Sequence, residues 1–517
     1  MGLITGMKSR IVSPPALLAG VLGCASLIPP LLGRGGFIDS LLYASIARNL
    51  SLADWGAVDL SFSDTLYHEF AEQPPLMFWL GSVWFRLLGD HAWTEKSFSL
   101  LIALLLVGCF HRFWRNLWAG TDNARGWGWW MLFMCLIPGP LWGFSQFMLE
   151  NPLTLLTFLG VWSAMGKGNL TAGAGLGLCT FLAFLTKGPP ALFPLAAPVL
   201  LALCHLRKPR PMLIVTALSL SVFALLSAAG WLWQPLRAAM QGYWERQVHA
   251  TFAGTRSAYE PGVERTRLEL LWTFAQEMLL PIVVLAIVYI THRVLLRRNA
   301  PPESSTLHTA GMSTPGFVTP KLNHVEKKQA LFFLLVAFSA TAPLFVSPKL
   351  HPHYLIPSYP WWTLALTAVS LAFLRIQPLG SWGPLSRRQG LYLNVGIVLF
   401  LLICVSLAWG NRNKPVRDVG LQRDLEEIVQ VVRRSKPLCP CEGIGISRAL
   451  HGQYSIWLYM QRYHKLSLYP NPTTRQCAVI VTKGSAPPLG FSSLPSIQSD
   501  FSVWICTARP QLNQGDR

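Results

Sequence analysis

Nine side chains in this sequence suit proton transfer or anion binding: Asp39, Glu72, Glu150, Lys187, His249, Lys349, His351, His353 and Tyr354. Asp39 lies just past the first long apolar run, and an ionisable residue where a membrane helix meets water is costly without a partner, which makes it a candidate site. A carboxylate beside a hydroxyl can take its proton during attack. The equal alternative is that Asp39 caps or anchors the helix that follows it. Glu72 precedes Gln73-Pro74-Pro75, and Glu150 begins Glu150-Asn151-Pro152-Leu153. Either acid suits the first turn of a helix, where the macrodipole favours negative charge; for Glu72 the functional alternative is a metal ligand or an acceptor contact. Lys187, in Thr186-Lys187-Gly188-Pro189-Pro190, suits either snorkelling to headgroups or a phosphate site made with the backbone N–H groups of a helix start. The segment from Ser347 to Pro357 gathers Lys349, His351, His353 and Tyr354 among three prolines. An ordinary interfacial loop accounts for any one of these and less well for all four. His249, after Glu245 and Gln247, is a lone imidazole, more often structural than a ligand.

The elements that must position these groups follow from composition. Over 517 residues the chain is 52% hydrophobic and 13% charged, with 21 Trp. Apolar runs near the ~20 residues that cross a bilayer recur at 11–33, 97–114, 126–147, 151–166, 170–187, 189–206, 211–233, 271–292, 330–347, 354–374 and 391–409. The pattern predicts an all-α polytopic membrane protein of about eleven spans and excludes a soluble globular chain. The first run is longer than a secretory signal core and no small-residue cleavage site precedes the next loop, so it reads as a span.

A net charge of +19 would suggest nucleic acid in a soluble protein. Here it predicts orientation, because Lys and Arg crowd cytoplasmic loops. With eleven spans and a cytoplasmic N-terminus, the clusters Lys8/Arg10, Arg112/Arg115/Arg125, Arg207/Lys208/Arg210, Arg293/Arg297/Arg298, Lys321/Lys327/Lys328 and Arg375/Arg387/Arg388 all fall inside. That count requires residues 75–88 to lie in the interface, with Trp79 and Trp84 at headgroup depth. All nine candidate residues then sit at or near the external face. A transporter would more often hide ionisable groups mid-span.

Residues 34–96 form the first external loop, with eight acidic and four basic residues, and apolar spacing at 40–50 predicts a short amphipathic helix directly after Asp39. Residues 234–270 form a second external loop, and 299–329, rich in Pro, Ser, Thr and Gly, a cytoplasmic linker. The membrane part is expected over 1–410. Residues 411–517 read as a small C-terminal α/β extracytoplasmic domain, with helices at 418–434 and 453–463 and strands at 443–446, 477–481 and 503–507. Four of the ten cysteines (Cys439, Cys441, Cys477 and Cys506) lie there and could pair on the external side; the other six read as packing residues.

Taken together, these blocks resemble the bacterial type C glycosyltransferases of lipid-linked sugars, in the branch of the lipid A aminoarabinose transferase and relatives of protein O-mannosyltransferases. The similarity covers roughly residues 11–375. It rests on Asp39 with Tyr43, Ala44 and Ala47-Arg48; Tyr67 through Glu72-Gln73-Pro74-Pro75-Leu76 and Phe78-Trp79; Gly89 and Trp93; Glu150-Asn151-Pro152-Leu153; Thr186-Lys187-Gly188-Pro189; and Lys349 through Pro357. The resemblance implies transfer of a monosaccharide from a polyprenyl monophosphate to an envelope acceptor (lipid, glycan or protein) at the external face of the inner membrane, with inversion. It implies Asp39 as the catalytic carboxylate, Glu150 as the second acid, and Lys187, Lys349, Tyr354, His351 and His353 around the donor phosphate. It also implies a divalent metal near Glu72 and, loosely, His249. Three positions depart from the pattern: Ser40 follows Asp39 where many relatives have a second acid, Gln73 stands where Lys is usual, and Glu150 replaces the commoner Asp. The competing expectation is a lipid or glycan carrier without transferase activity.

Overall fold

The computed structural model describes residues 13–54, 59–119, 121, 126–253, 266–298, 323–347, 350–374, 387–435, 444–470, 478–482, 491–493 and 501–506. Lys349, Cys439, Cys441, Cys477 and most of the expected linker lie outside the described residues.

The chain opens with α1 (Pro14–Leu27), α2 (Ile38–Leu52), α3 (Leu76–Leu88), α4 (Thr94–Leu117), α5 (Trp127–Leu136) and α6 (Pro138–Phe144). It continues with α7 (Glu150–Ala164), α8 (Asn169–Lys187), a 3₁₀ segment (Pro189–Ala196), α9 (Ala197–Leu203) and α10 (Pro209–Leu232). Then come α11 (Gln234–Tyr243), a π-helical turn (Trp244–His249), α12 (Ala250–Phe252), α13 (Arg267–Arg298) and α14 (His324–Val346). A 3₁₀ segment (Pro352–Ser358) leads into α15 (Tyr359–Leu374), and α16 (Arg387–Gly410) follows.

Every apolar run predicted as a span is helical, but among the described residues only six helices are long and apolar enough to cross a membrane: α4, α8, α10, most of α13, α14 and most of α16. The protein is thus an integral membrane protein. Proline shortens several of the others. The run expected at 126–147 breaks at Ile137, whose φ of −91° and ψ of 119° place it in the extended region that a following proline imposes. The run at 189–206 begins as a 3₁₀ helix containing Pro189, Pro190 and Pro194, and that at 354–374 as one containing Pro352 and Pro357.

Close packing fixes the bundle. Cβ atoms added at Gly173 and Gly177 of α8 would fall 2.6 Å from the Leu218 side chain and from the Ser219 carbonyl of α10, so these small residues set the approach of the two helices. Phe110 of α4 stacks on Trp130 of α5, and Phe158 of α7 on Trp361 of α15, all four fully buried. The predicted amphipathic helix after Asp39 is α2, and α3 is the expected helix at 75–88. Its Met77, Phe78 and Phe85 are buried, whereas Leu80, Val83 and Leu87 are exposed. Arg86 of α3 donates to the carbonyls of Leu50, Ala53 and Asp54, satisfying the orphan acceptors at the end of α2.

The C-terminal region holds α17 (Val419–Ser435), α18 (Tyr454–Tyr459) and a second π-helical turn (Met460–His464). Its five-stranded sheet consists of β1 (Ile444–Ile446), β2 (Leu468–Tyr469), β3 (Ala478–Thr482), β4 (Phe491–Ser493) and β5 (Phe501–Cys506), in the order β2-β1-β3-β5-β4. β1 runs parallel to β2 and β3, with Ile444 opposite both Leu468 and Ala478; β3–β5 and β5–β4 are antiparallel. The three predicted strands are present; β2 and β4 are too short to show a periodicity. The six cysteines of the apolar runs are free thiols.

This region meets the membrane part through a buried charge cluster. Arg462 is 2% exposed and donates to Glu95 Oε2 at 2.7 Å, Asp90 Oδ1 at 2.8 Å and the His91 carbonyl at 2.8 Å. Lys465 lies 3.0 Å from the other Asp90 oxygen. Burial pushes the Asp90 carboxyl up, but Arg462 and Lys465 outweigh it and hold the group below the usual carboxylate range. A carboxyl so depressed adds stability above its unfolded value of about 3.9 and loses that contribution as the pH falls towards its folded value. The thermal midpoint is therefore expected to drop on acidification below about pH 4, and less steeply in Asp90→Asn, as read by thermal unfolding in detergent. Equal slopes would remove Asp90 from the acid response.

Candidate active site

Glu150 is the first residue of α7 and Lys187 the last of α8, so antiparallel packing of the two helices brings the carboxylate and the ammonium together. They form a direct ion pair between Lys187 Nζ and Glu150 Oε1, with side chains 8% and 2% exposed. His353 Nε2 lies 3.7 Å from the same Glu150 oxygen. Lys187 Nζ also sits 3.8 Å from the centre of the Tyr354 ring, a cation–π contact strengthened by burial of the ammonium. Around them His351 stacks on His353 with ring centres 5.3 Å apart, and Tyr354 meets both imidazoles edge-on. Three segments, the last more than 160 residues beyond the second, thus build one row in which a buried cation and carboxylate meet part-buried imidazoles and a phenol. Sequence reading placed Glu150 and Lys187 in separate roles; the structure makes each the other's counter-ion.

The turn after Lys187 has its own support. Gly188 takes φ +73°, and a Cβ there would fall 2.3 Å from the Tyr243 hydroxyl. Tyr243 of α11 is buried and donates to the Lys187 carbonyl at 3.3 Å. Burial pushes the Tyr243 hydroxyl pKa up, so it stays a donor at working pH. Residues 234–252, expected as a loop, are helical, and Arg246 donates to the Glu69 carbonyl at 2.7 Å. The Glu72 segment and the Lys187 turn therefore share one bracing helix.

Asp39 stands in the first turn of α2, half-buried, and the N-cap residue is Phe37, so Asp39 is not itself the cap. Its neighbours tie it to the charged row. The Phe37 N–H donates to Gln146 Oε1 at 2.8 Å, and the Phe147 N–H to Ser40 Oγ at 2.9 Å. Asn151 Nδ2 donates to the Gln146 carbonyl at 2.8 Å, closing the link to the start of α7. The Phe37 ring meets the His353 ring edge-on at 5.7 Å and Trp142 at 5.1 Å. Phe37, Trp142, Gln146, Asn151 and Tyr243 were not legible as site residues. Gln146 and Asn151, uncharged polar residues inside predicted apolar runs, carried the only signal.

Glu72 is half-buried in the loop before α3, and His249 is exposed at the end of its π-helical turn. Among the described residues no group of three or more His, Cys, Asp or Glu side chains could hold a metal. No chemical step is assigned to a metal ion.

No protein-family model and no curated protein matches the sequence. Among solved structures, the chain is similar to ArnT from Cupriavidus metallidurans in the apo state, at a TM-score of 0.56 and 12% identity over 95% of this chain and 96% of that one. It is also similar to ArnT from the same organism bound to undecaprenyl phosphate, at a TM-score of 0.53 and 15% identity over 95% and 97%. The oligosaccharyltransferase AglB from Archaeoglobus fulgidus, in complex with an inhibitory peptide and a dolichol-phosphate, aligns at a TM-score of 0.41 and 12% identity over 89% and 69%. The resemblance seen in sequence is thus matched in the fold, which is that of ArnT.

Proposed function

We propose that this protein is an integral-membrane glycosyltransferase that moves a monosaccharide from a polyprenyl-monophosphate donor to a hydroxyl of an envelope acceptor, with inversion at the anomeric carbon. The observation that carries the reading is the Lys187–Glu150–His353 row held beside α2, whose first turn contains Asp39. Its fold is shared with a protein crystallised with undecaprenyl phosphate. In the proposed reaction the acceptor oxygen attacks the anomeric carbon while Asp39 takes its proton. The bond from that carbon to the phosphate oxygen breaks, and polyprenyl phosphate leaves with the electron pair. Lys187, with two N–H donors beyond the one facing Glu150, and the imidazoles of His351 and His353 stabilise the charge on the leaving phosphate. Glu150 holds the Lys187 ammonium in place. Lys349, in the same segment as the two histidines, is assigned to the phosphate as well, and Glu72 to the acceptor side. The charge pattern supports an N-terminus in the cytoplasm, the site on the external face, and residues 411–517 as an extracytoplasmic domain.

The test is sugar release by the purified protein from a panel of polyprenyl-phosphate monosaccharides. Release from at least one donor is expected. No release from any, together with transfer of labelled lipid across a liposome bilayer, would replace the enzyme with a carrier.

A further inference from the structure

We infer that the π-helical turn Met460–His464 of the C-terminal region positions Asp39, so that the region is part of the active centre rather than an appendage. The inference rests on the glycosyltransferase reading above. The turn grips α2 and the residues leading into it at two places. At the leading end, the Gly35 N–H donates to the Tyr463 hydroxyl at 2.6 Å, four residues before Asp39. Gly35 has φ +107°, and a Cβ there would lie 3.0 Å from Gln422 Nε2 and 3.2 Å from the Arg417 side chain, so glycine permits this close approach. The Arg34 guanidinium carbon lies 4.8 Å from the centre of the Tyr463 ring, and the group pairs with Glu426 at 2.9 Å. Its backbone is held in a short parallel bridge, with Arg34 N donating to the Lys414 carbonyl and Val416 N to the Arg34 carbonyl.

Further along α2, Arg48 is 1% exposed and donates to the carbonyls of Gln461 at 2.8 Å and Arg462 at 3.3 Å. These are acceptors that the end of a helix leaves without backbone partners. Arg48 follows Asp39 by nine residues, which on a helix of 3.6 residues per turn puts it on the opposite side. The C-terminal region thus holds one side of α2 and leaves the Asp39 side to the charged row. Arg462, through Asp90 and Glu95, anchors the turn itself to the start of α4. A π-helical turn is uncommon and tends to occur at functional sites; here it directs the hydroxyl of Tyr463 onto the residues leading into α2 and the carbonyls of residues 461 and 462 onto α2 itself.

The obvious variant, Arg462→Ala, strands the buried Glu95 carboxylate and risks unfolding, so the test uses Tyr463→Phe, which removes one hydroxyl from a part-buried site. In the purified full-length protein, with a donor that the wild type turns over, Tyr463→Phe is expected to lower kcat about tenfold, the scale of one unsatisfied buried N–H. The donor KM should stay within about twofold, because the phosphate site is untouched. In an Asp39→Glu background, where the carboxylate is already displaced, Tyr463→Phe should cost less than about twofold, since residues acting through one another are not additive. Arg48→Met should behave like Tyr463→Phe, with Arg48→Lys recovering part of the loss. Unchanged kcat in Tyr463→Phe, or a loss that multiplies fully with Asp39→Glu, overturns the inference. Absence of turnover by the wild type on every donor removes the glycosyltransferase reading instead, and this inference with it.

Discussion

Asp39→Asn is expected to lower sugar transfer by about 10²–10⁴-fold, the usual contribution of a positioned proton acceptor. Asparagine keeps the shape and the first-turn position of Asp39 but cannot accept the proton of the attacking hydroxyl. The exchange is nearly isosteric, and the bonds of the Phe37 N–H to Gln146 and of the Phe147 N–H to Ser40 remain, so the fold should stay intact. Donor binding should also survive, since the phosphate is met by the Lys187 row. The check is kcat alongside donor affinity and thermal midpoint for wild type and variant. Equal turnover would remove Asp39 from the chemistry, and a parallel fall in the thermal midpoint would mean that Asp39 holds the helix instead.

Lys187→Ala is the second large effect. Loss of a cation aimed at a developing phosphate charge typically costs about 10²–10³-fold in kcat, and here the donor KM should rise as well. A structural penalty comes with it, because Glu150 is left buried with its main counter-ion gone, a change worth about 3–5 kcal/mol in comparable pairs. The two losses separate in the double variant Lys187→Met with Glu150→Gln, which removes both charges. Its thermal midpoint should return most of the way to wild type while transfer stays low. A double variant as unstable as the single one would show that Glu150 does not depend on Lys187. Recovered transfer would exclude Lys187 from the phosphate.

Much of the molecule was readable from local pattern. Runs of apolar residues near bilayer length located the helices because burying backbone in lipid leaves few alternatives to a helix. Prolines located the breaks, although treating 126–147 as one continuous span underestimated how firmly Pro138 interrupts a helix. The apolar spacing after Asp39 announced α2, and the spacing at 418–434 announced α17. Residues 234–252 read as loop because a short amphipathic helix rich in polar groups looks like one until a surface is found for it; here Tyr243 seals against Gly188.

By itself, then, the sequence determined the class of protein, the order of its helical segments and the residues able to do chemistry. Those properties are set by side-chain type and short-range spacing. Only the tertiary structure decided who pairs with whom. Glu150 meets Lys187 across 37 residues and Arg462 meets Glu95 across 367. Desolvation demands that a buried charge find a partner, but with 43 basic and 24 acidic residues in the chain it does not say which. That choice falls to the helix packing that brings the ends of α7 and α8 to one point and seats the C-terminal region against α2.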